Sequence, residues 1–415
     1  MSSSAPAPVI RAPSGLAVFR HRDFALFSGV RVAAGVAQQM QTVAVGWLVY
    51  DLTHSALALG LVGLAGFLPA IALALVTGHV ADRFDRRLIV AACHALNALA
   101  AAGLLAVAWT GGGVVAPIYL LAVLFGVARA FAGPASQALV PGLVPREQFA
   151  QAIAWNSSLW QGSSIAGPAI GGLLYVLGPG VVFASAGFLF ALASGLAALI
   201  RPRSVEIRRE PISRASLLAG ITFIRSRPVI LGAISLDLFA VLLGGATALL
   251  PIFAQEILFV DAFGLGVMRS MPALGAALMA VWLAYHPLTR QAGPRLFAAV
   301  AVFGLATIGF GLSTNFALSL LCLIVLGAAD MVSVVVRQTL VQAETPDAMR
   351  GRVAAVNTVF IGASNELGEF ESGILAALVG AVPAVVIGGL GTLGIALLWA
   401  RLFPALRTRD RLIEA

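Results

Sequence analysis

Among the ionisable residues inside the oily stretches of the chain, six stand out: Arg31, Arg129, Asp237, Asp330, Glu366 and Glu369. A charge in hydrocarbon is costly, so such residues are candidates for transport or proton chemistry. The competing reading is a structural ion pair, or residues near a membrane surface. Glu366 and Glu369 belong to "ASNELGEFESG", the densest acidic cluster in the sequence. At about 100° per residue, Asn365, Glu366 and Glu369 fall within about 100° of one another on a helix, and Glu371 points away. Acids spaced i and i+3 at that depth can take up and lose a proton, as proton relays require. Alternatively they pair with Arg269 or Arg337 and fix helix packing. Gln38 and Thr42 fall within about 20° of Arg31's direction, which gives that helix a polar wall. Gly133 and Ser136 lie on the side of Arg129. Enzyme chemistry has no support: the five His are scattered, no metal-ligand spacing occurs, and "GGG" at 111–113 is a short loop. No metal or other cofactor is expected.

These residues need elements to hold them, and composition says which. The chain has 415 residues, 60% of them hydrophobic and 11% charged, where soluble domains carry about 25% charged residues. Its mean hydropathy is +0.97. Apolar runs of about 20 residues cross a bilayer as helices. Such runs are predicted at 24–50, 55–77, 88–110, 115–139, 149–177 and 180–200, then at 228–255, 262–285, 294–313, 316–340, 351–379 and 381–403. The expected fold is therefore an all-α integral membrane protein of twelve transmembrane helices. A tail (1–22), a six-helix half (23–200), an Arg-rich linker (201–227), a second six-helix half (228–403) and a short tail (404–415) make up the chain. No cleaved signal peptide is expected ahead of the first span.

All 26 basic residues are Arg, and the net charge is +8. With both tails placed in the cytoplasm, every loop on that side carries Arg and the opposite loops carry none, which is the positive-inside pattern. The charge is a topology signal; a nucleic-acid partner would need a basic soluble face. Cys93 and Cys322 sit inside spans and form no disulfide framework. Absence of Lys suits a GC-rich bacterial genome and an inner-membrane location.

A shift of 201 positions lays the second half over the first. Gly126 then meets Gly327, Gln137 meets Gln338, Asn156 meets Asn357, Gly167 meets Gly368, and Arg129 meets Asp330. Two six-helix halves related by a parallel repeat describe a large transporter architecture, with the substrate site between the halves near the midplane.

Three motifs resemble the major facilitator superfamily. "GHVADRFDRR" is similar to its loop signature between the second and third helices, through Gly78, Asp82, Arg83, Arg86 and Arg87; the family usually has Gly where this chain has Asp85. "RAFAG" places Arg129 four residues before Gly133. "GSSIAGPAIGG" supplies Gly162, Gly167, Pro168, Gly171 and Gly172 on the fifth helix, a pattern associated with antiporters. Other stretches, such as "RGRVAAVNTVF", most resemble the enterobactin-exporter, secretion-type and multidrug-efflux branch. From the residues alone, Gly78 is expected to release the chain from the second helix in a tight turn, and Asp82 to cap the third. The resemblance adds that Asp82 latches neighbouring helices, and that the first, fourth, seventh and tenth helices line a central cavity. Arg31, Gln38, Thr42, Arg129, Asp237 and Asp330 are then the expected cavity residues, two cations facing two anions, with Glu366, Glu369 and Arg129 in proton coupling.

The expected function is proton-coupled export of a small amphipathic compound, such as a siderophore or drug, by alternating access. The expected partners are that compound, protons and the lipid bilayer, and the chain is expected to be a monomer. The rivals are an importer or lysophospholipid-type transporter on the same fold, and a membrane sensor or scaffold with no transport cycle.

Overall fold

A computed structural model describes residues 16–110, 113–201, 214–288 and 290–410. The helices of the first half are α1 (Arg22–Thr53), α2 (Ala56–Arg83), α3 (Arg86–Thr110), α4 (Ala116–Leu139), α5 (Phe149–Tyr175) and α6 (Pro179–Ala198). A connecting helix, α7 (Arg214–Ser226), follows. The second half has α8 (Pro228–Leu243), a single turn α9 (Leu250–Ile252), α10 (Ala262–Tyr285), α11 (Ala292–Leu312), α12 (Phe316–Glu344), α13 (Asp347–Val379) and α14 (Ala381–Leu402), and a short α15 (Pro404–Arg407) ends it. Among the described residues, nine helical segments are long and apolar enough to cross a membrane. The helices α1, α5 and α13 are as long, at 32, 27 and 33 residues. They fall outside that set because amide and charged side chains in α1 and α13, and amides, serines, glycines and proline in α5, lower their hydropathy.

Loop chemistry at the end away from the tails follows ordinary capping rules. Ser55, Asp261 and Asn315 each accept a backbone N–H from three residues on, starting α2, α10 and α12. Gly178 and Gly380, at φ of +115° and +93°, make the corresponding α5–α6 and α13–α14 turns in the two halves.

Two expectations at the "GHVADRFDRR" stretch are corrected. The α2 backbone stays helical through Gly78 and Asp82 to Arg83, so the turn falls at Phe84 and Asp85. Asp82 therefore lies in the last turn of α2, not at the start of α3. The Gly78 and Asp82 side chains lie outside the described residues. Asp85, the position that departs from the family pattern, is the cap: its carboxylate accepts the Arg87 N–H at 3.1 Å and the Arg87 Nε at 2.8 Å. Arg87 also donates to the carbonyl of Ile200, just beyond α6, and Arg86 to that of Ala138 in the last turn of α4. The loop arginines thus staple helix C-termini, where carbonyls lack partners and cations are favoured.

The predicted seventh span, 228–255, is not one helix. After Leu243 the Gly244–Gly245 pair ends α8, and a tight 3-10 turn, α9 and a π turn at Phe253–Ile257 follow. A Cβ on Gly245 would lie 2.6 Å from the carbonyl oxygen of Gly368, so α13 passes too close for any larger residue. Its repeat counterpart α1 is unbroken. The segment read as linker holds α7, whose Ile221 and Ile224 pack on Val353 and Val356 of α13; residues 202–213 lie outside the described residues.

Helix approach within each half relies on small residues, as close packing in lipid does. A Cβ on Gly126 would meet the Gly66 carbonyl at 2.2 Å, and one on Gly327, its repeat equivalent, would meet that of Pro272 at 1.9 Å. The same device therefore fixes α2 on α4 and α10 on α12. Between the halves, α5 crosses α10 and α2 crosses α13. At the far end the halves share one apolar core, with Met40, Val49 and Leu59 against Leu249, Phe253 and Met268. Toward the tails the cores part, Phe24 and Leu139 belonging to one and Leu296 and Leu340 to another. Halves joined at one end and separate at the other leave a cavity between them that opens toward the tails.

Candidate functional site

That cavity has a volume of about 620 Å³. The α1 helix supplies its longest wall, and Arg31, Gln38, Gln41 and Thr42 all line it. Their common face is what the 3.6-residue period requires. Arg129, Gly133 and Ser136 line it from α4, and Glu366 and Glu369 from α13. The broken stretch after α8 contributes Ala248 and Pro251 near its closed end. An interrupted helix at such a site leaves backbone groups beside the cavity instead of in lipid.

The charges are organised in pairs. Arg129 Nη1 lies 2.6 Å from Glu366 Oε1, bridging the two halves, and Nη2 donates to the carbonyl of Gly66 at 3.3 Å. Glu369 stands within electrostatic reach of Arg269 on α10 as well as of Glu366 and Arg129. Gly63 makes room for it: a Cβ there would come within 3.2 Å of Glu369 Oε2. Glu371 is not among the residues that line the cavity. Near the closed end, the Tyr50 hydroxyl donates to Glu256 and ties α1 to the segment after α9.

Asp237 and Asp330 are not brought to this cavity, so the expected quartet of two cations facing two anions does not assemble. Asp237 Oδ2 lies 3.1 Å from Arg337 Nη2 inside the second half, and Arg337 Nη1 donates to Asn357 at 3.2 Å. Arg337 is only 2% exposed. Asp330 is within electrostatic reach of both partners. A guanidinium buried this deeply needs anionic partners. It draws the two acids into its own bundle.

The fifth-helix glycines also take a defined place. A Cβ on Gly167 would strike Gln39 at 2.6 Å, and one on Gly171 would strike the α1 backbone at Met40, also at 2.6 Å. The Pro168 carbonyl lies 2.3 Å from where a Cβ on Gly266 of α10 would stand. The motif is thus the crossing point of α5 with α1 on one side and with the opposite half on the other.

Gln41, His94, Asn97, Asn156, Trp160 and Arg269 also line the cavity, and of these the sequence reading gave no site role to His94, Asn97, Asn156 or Trp160. Among them, Gln41 Oε1, His94 Nδ1, Asn97 Oδ1 and Asn156 Oδ1 are buried without a protein partner, as is Arg31 Nε. Buried polar groups are normally paired, and the five residues that carry these atoms share one cavity, where a ligand or water can partner them. The available signal was weak: His94 and Asn97 sit at i and i+3 in an otherwise apolar span.

A sequence profile of the transmembrane secretion effector family, a group of major facilitator transporters, matches residues 13–412. The chain belongs to the major facilitator superfamily. It is 29% identical over 402 residues to the enterobactin exporter EntS of Citrobacter koseri, covering 95% of this chain and 93% of that one. The EntS protein of Escherichia coli O81 (strain ED1a) is 29% identical over 388 residues, covering 92% and 86%. The fold is that of solved major facilitator structures. A bacterial homologue of the human lysosomal transporter Spinster, inward-facing and unoccupied, superposes with a TM-score of 0.73 at 13% identity, over 96% of this chain and 99% of that one. A D-xylose–proton symporter gives 0.69 at 15% identity, over 92% and 98%. This major facilitator protein is a secondary transporter, not an enzyme. It is a multi-pass inner-membrane protein that works in the lipid bilayer on a small-molecule substrate.

Proposed function

We propose that this transporter is a proton-coupled exporter of a small amphipathic compound of the siderophore class, working as an antiporter by alternating access. The observation that carries this reading is the Arg129–Glu366 bond across the two halves, with Glu369 beside it in the same cavity. A carboxylate that bridges two moving bodies can couple their separation to its own protonation. Compound enters the cavity from the tail side, which the positive-inside pattern assigns to the cytoplasm. The halves rock about the midplane, the shared apolar core and the Tyr50–Glu256 clasp part, and the compound leaves on the far side. Protons arriving from that side neutralise Glu366 or Glu369, release Arg129 and are discharged to the cytoplasm on return. The enterobactin exporters among its relatives support export of a compound of that class, and the walls of the cavity, with Phe125 and Phe190 beside amides, suit an amphipathic one. The chain works as a monomer, because the cavity is completed by its own two halves.

The test is flux in proteoliposomes with and without an imposed pH gradient, for Glu366→Gln, Glu369→Gln and Glu371→Gln. The first two should lose the gradient response and keep substrate binding, while Glu371→Gln keeps both. A full gradient response in all three would sink proton coupling through this cluster. No flux of any compound under any gradient would favour a sensor or scaffold.

A further inference from the structure

The walls of the cavity carry three arginines and two glutamates. Arg129 is bound by Glu366, and Arg269 faces Glu369. Arg31 is the cation left over. Among the described residues it pairs with no carboxylate; its guanidinium instead lies 4.4 Å from the centre of the Trp160 ring. That contact is a favourable cation–π geometry, but it leaves the in-plane N–H groups free to donate, and Arg31 Nε has no protein partner. The α5 helix is pressed onto α1 here, since a Cβ on Gly35 would fall 2.9 Å from Ser163. Trp160 is therefore held over Arg31 by the helix crossing itself.

The groups around Arg31 repeat the message. His94, 8% exposed, is within electrostatic reach of it, and its Nδ1 is unpartnered. The side-chain carbonyl oxygens of Asn97, one turn from His94, and of Asn156, one turn from Trp160, lack a donor from the protein. A planar guanidinium with free N–H groups matches a carboxylate, sulfonate or phenolate. Orphan amide oxygens match O–H or N–H groups next to that acid. An organic cation has no comparable place, because both carboxylates of the cavity already face arginines.

We infer that Arg31, seated on Trp160, docks an acidic group of the transported compound, and that hydroxyl or amide donors beside that acid meet Asn97 and Asn156. The inference rests on the reading of this cavity as the substrate path, and it narrows the substrate to organic acids bearing donors.

Salicylate, an aryl acid with a neighbouring hydroxyl, and salicylamide, its neutral counterpart, are suitable probes. Binding to the full-length protein in nanodiscs is read by quenching of tryptophan fluorescence, with Trp160→Phe identifying the signal of that ring. Salicylate should half-saturate at a concentration about tenfold lower than salicylamide, the equivalent of about 1.4 kcal/mol for the charged contact. Arg31→Gln should remove that preference, and Arg31→Lys should keep it with weaker binding. Gln38→Glu adds a negative charge two turns from Arg31 on the same cavity wall, at an exposed position, and repels the acid but not the amide; it carries the test if Arg31→Gln fails to accumulate, and it too should lower the preference. Equal binding of acid and amide, an unchanged preference in Arg31→Gln or Gln38→Glu, or no saturable binding of either probe would overturn the subsite. The two readings fail separately. An intact acid preference without gradient-driven flux sinks the proton-coupled exporter and leaves the subsite. Gradient-driven flux without acid preference does the reverse.

Discussion

Arg129 on α4 and Glu366 on α13 meet at 2.6 Å across the divide between the two halves, 237 residues apart in sequence. Arg129 is 44% exposed to the cavity and Glu366 18%, so the bond is reachable by water and by protons. An interaction of that kind contributes modestly to stability, about 1 kcal/mol or less. Its larger effect is on how far apart the two halves sit.

Breaking this bond should therefore change populations more than stability. In Arg129→Gln and Glu366→Gln, distance labels on the tail ends of α4 and α13 should report a broader distribution, while thermal unfolding moves little. The charge-reversed double variant, Arg129→Glu with Glu366→Arg, should bring the distribution back toward that of the parent. Unchanged distances in both single variants would mean that the pair is incidental to the arrangement of the halves.

The Asp237–Arg337 bond should behave in the opposite way. Arg337 is 2% exposed, and replacing it with Leu strands Asp237 and Asp330 in a dry bundle. A loss of about 3–5 kcal/mol is expected, seen as a large fall in unfolding temperature or in membrane accumulation. Asp237→Asn combined with Arg337→Leu should recover part of it, since neither site then holds an isolated charge. Salicylate binding by surviving protein should be unaffected, because neither residue lines the main cavity.

Glycine substitutions separate close packing from mere membership of a motif. Gly327→Ala places a methyl group 1.9 Å from the Pro272 carbonyl, which only displacement of α10 from α12 can relieve. Gly133→Ala meets nothing within 4 Å, although Gly133 belongs to one of the family motifs. The first should fail to accumulate in the membrane; the second should accumulate like the parent and differ, if at all, in flux. Immunoblots of membrane fractions against a fluorescence-detected gel-filtration profile make the comparison.

Orientation can be read chemically. With Cys93 and Cys322 replaced, a cysteine at position 85 and another after Arg409 should react with an impermeant maleimide only from the cytoplasmic side. One at position 113 should react only from outside. The reverse pattern would invert the proposed direction of export along with the topology.

Much was legible in the sequence because hydropathy and turn signals are local properties. Twenty-odd apolar residues predict a spanning helix wherever they occur, and the 201-residue shift reveals two related halves before any coordinates exist. The Arg31, Gln38 and Thr42 stripe on α1 was legible for the same reason: one rigid helix with a known period fixes which side chains share a face. Likewise the acidic pair on α13 was found, and Glu371 was excluded, by angle alone.

What the tertiary structure decided is which way each helix is turned about its own axis, and that depends on contacts between distant segments. Asp237 and Asp330 look like cavity acids until Arg337 is seen to hold them inside their own bundle. Gly78 reads as a turn until α2 is seen to run on to Arg83, leaving Asp85 to cap α3. The break after α8 follows from Gly244 and Gly245 only because α13 passes within reach of the second of them. Among the described residues Arg31 meets no carboxylate, for a similar reason. Helix crossings bring Trp160 to it and pair Arg129 and Arg269 with the two glutamates, and no local pattern of residues encodes that partition of charge.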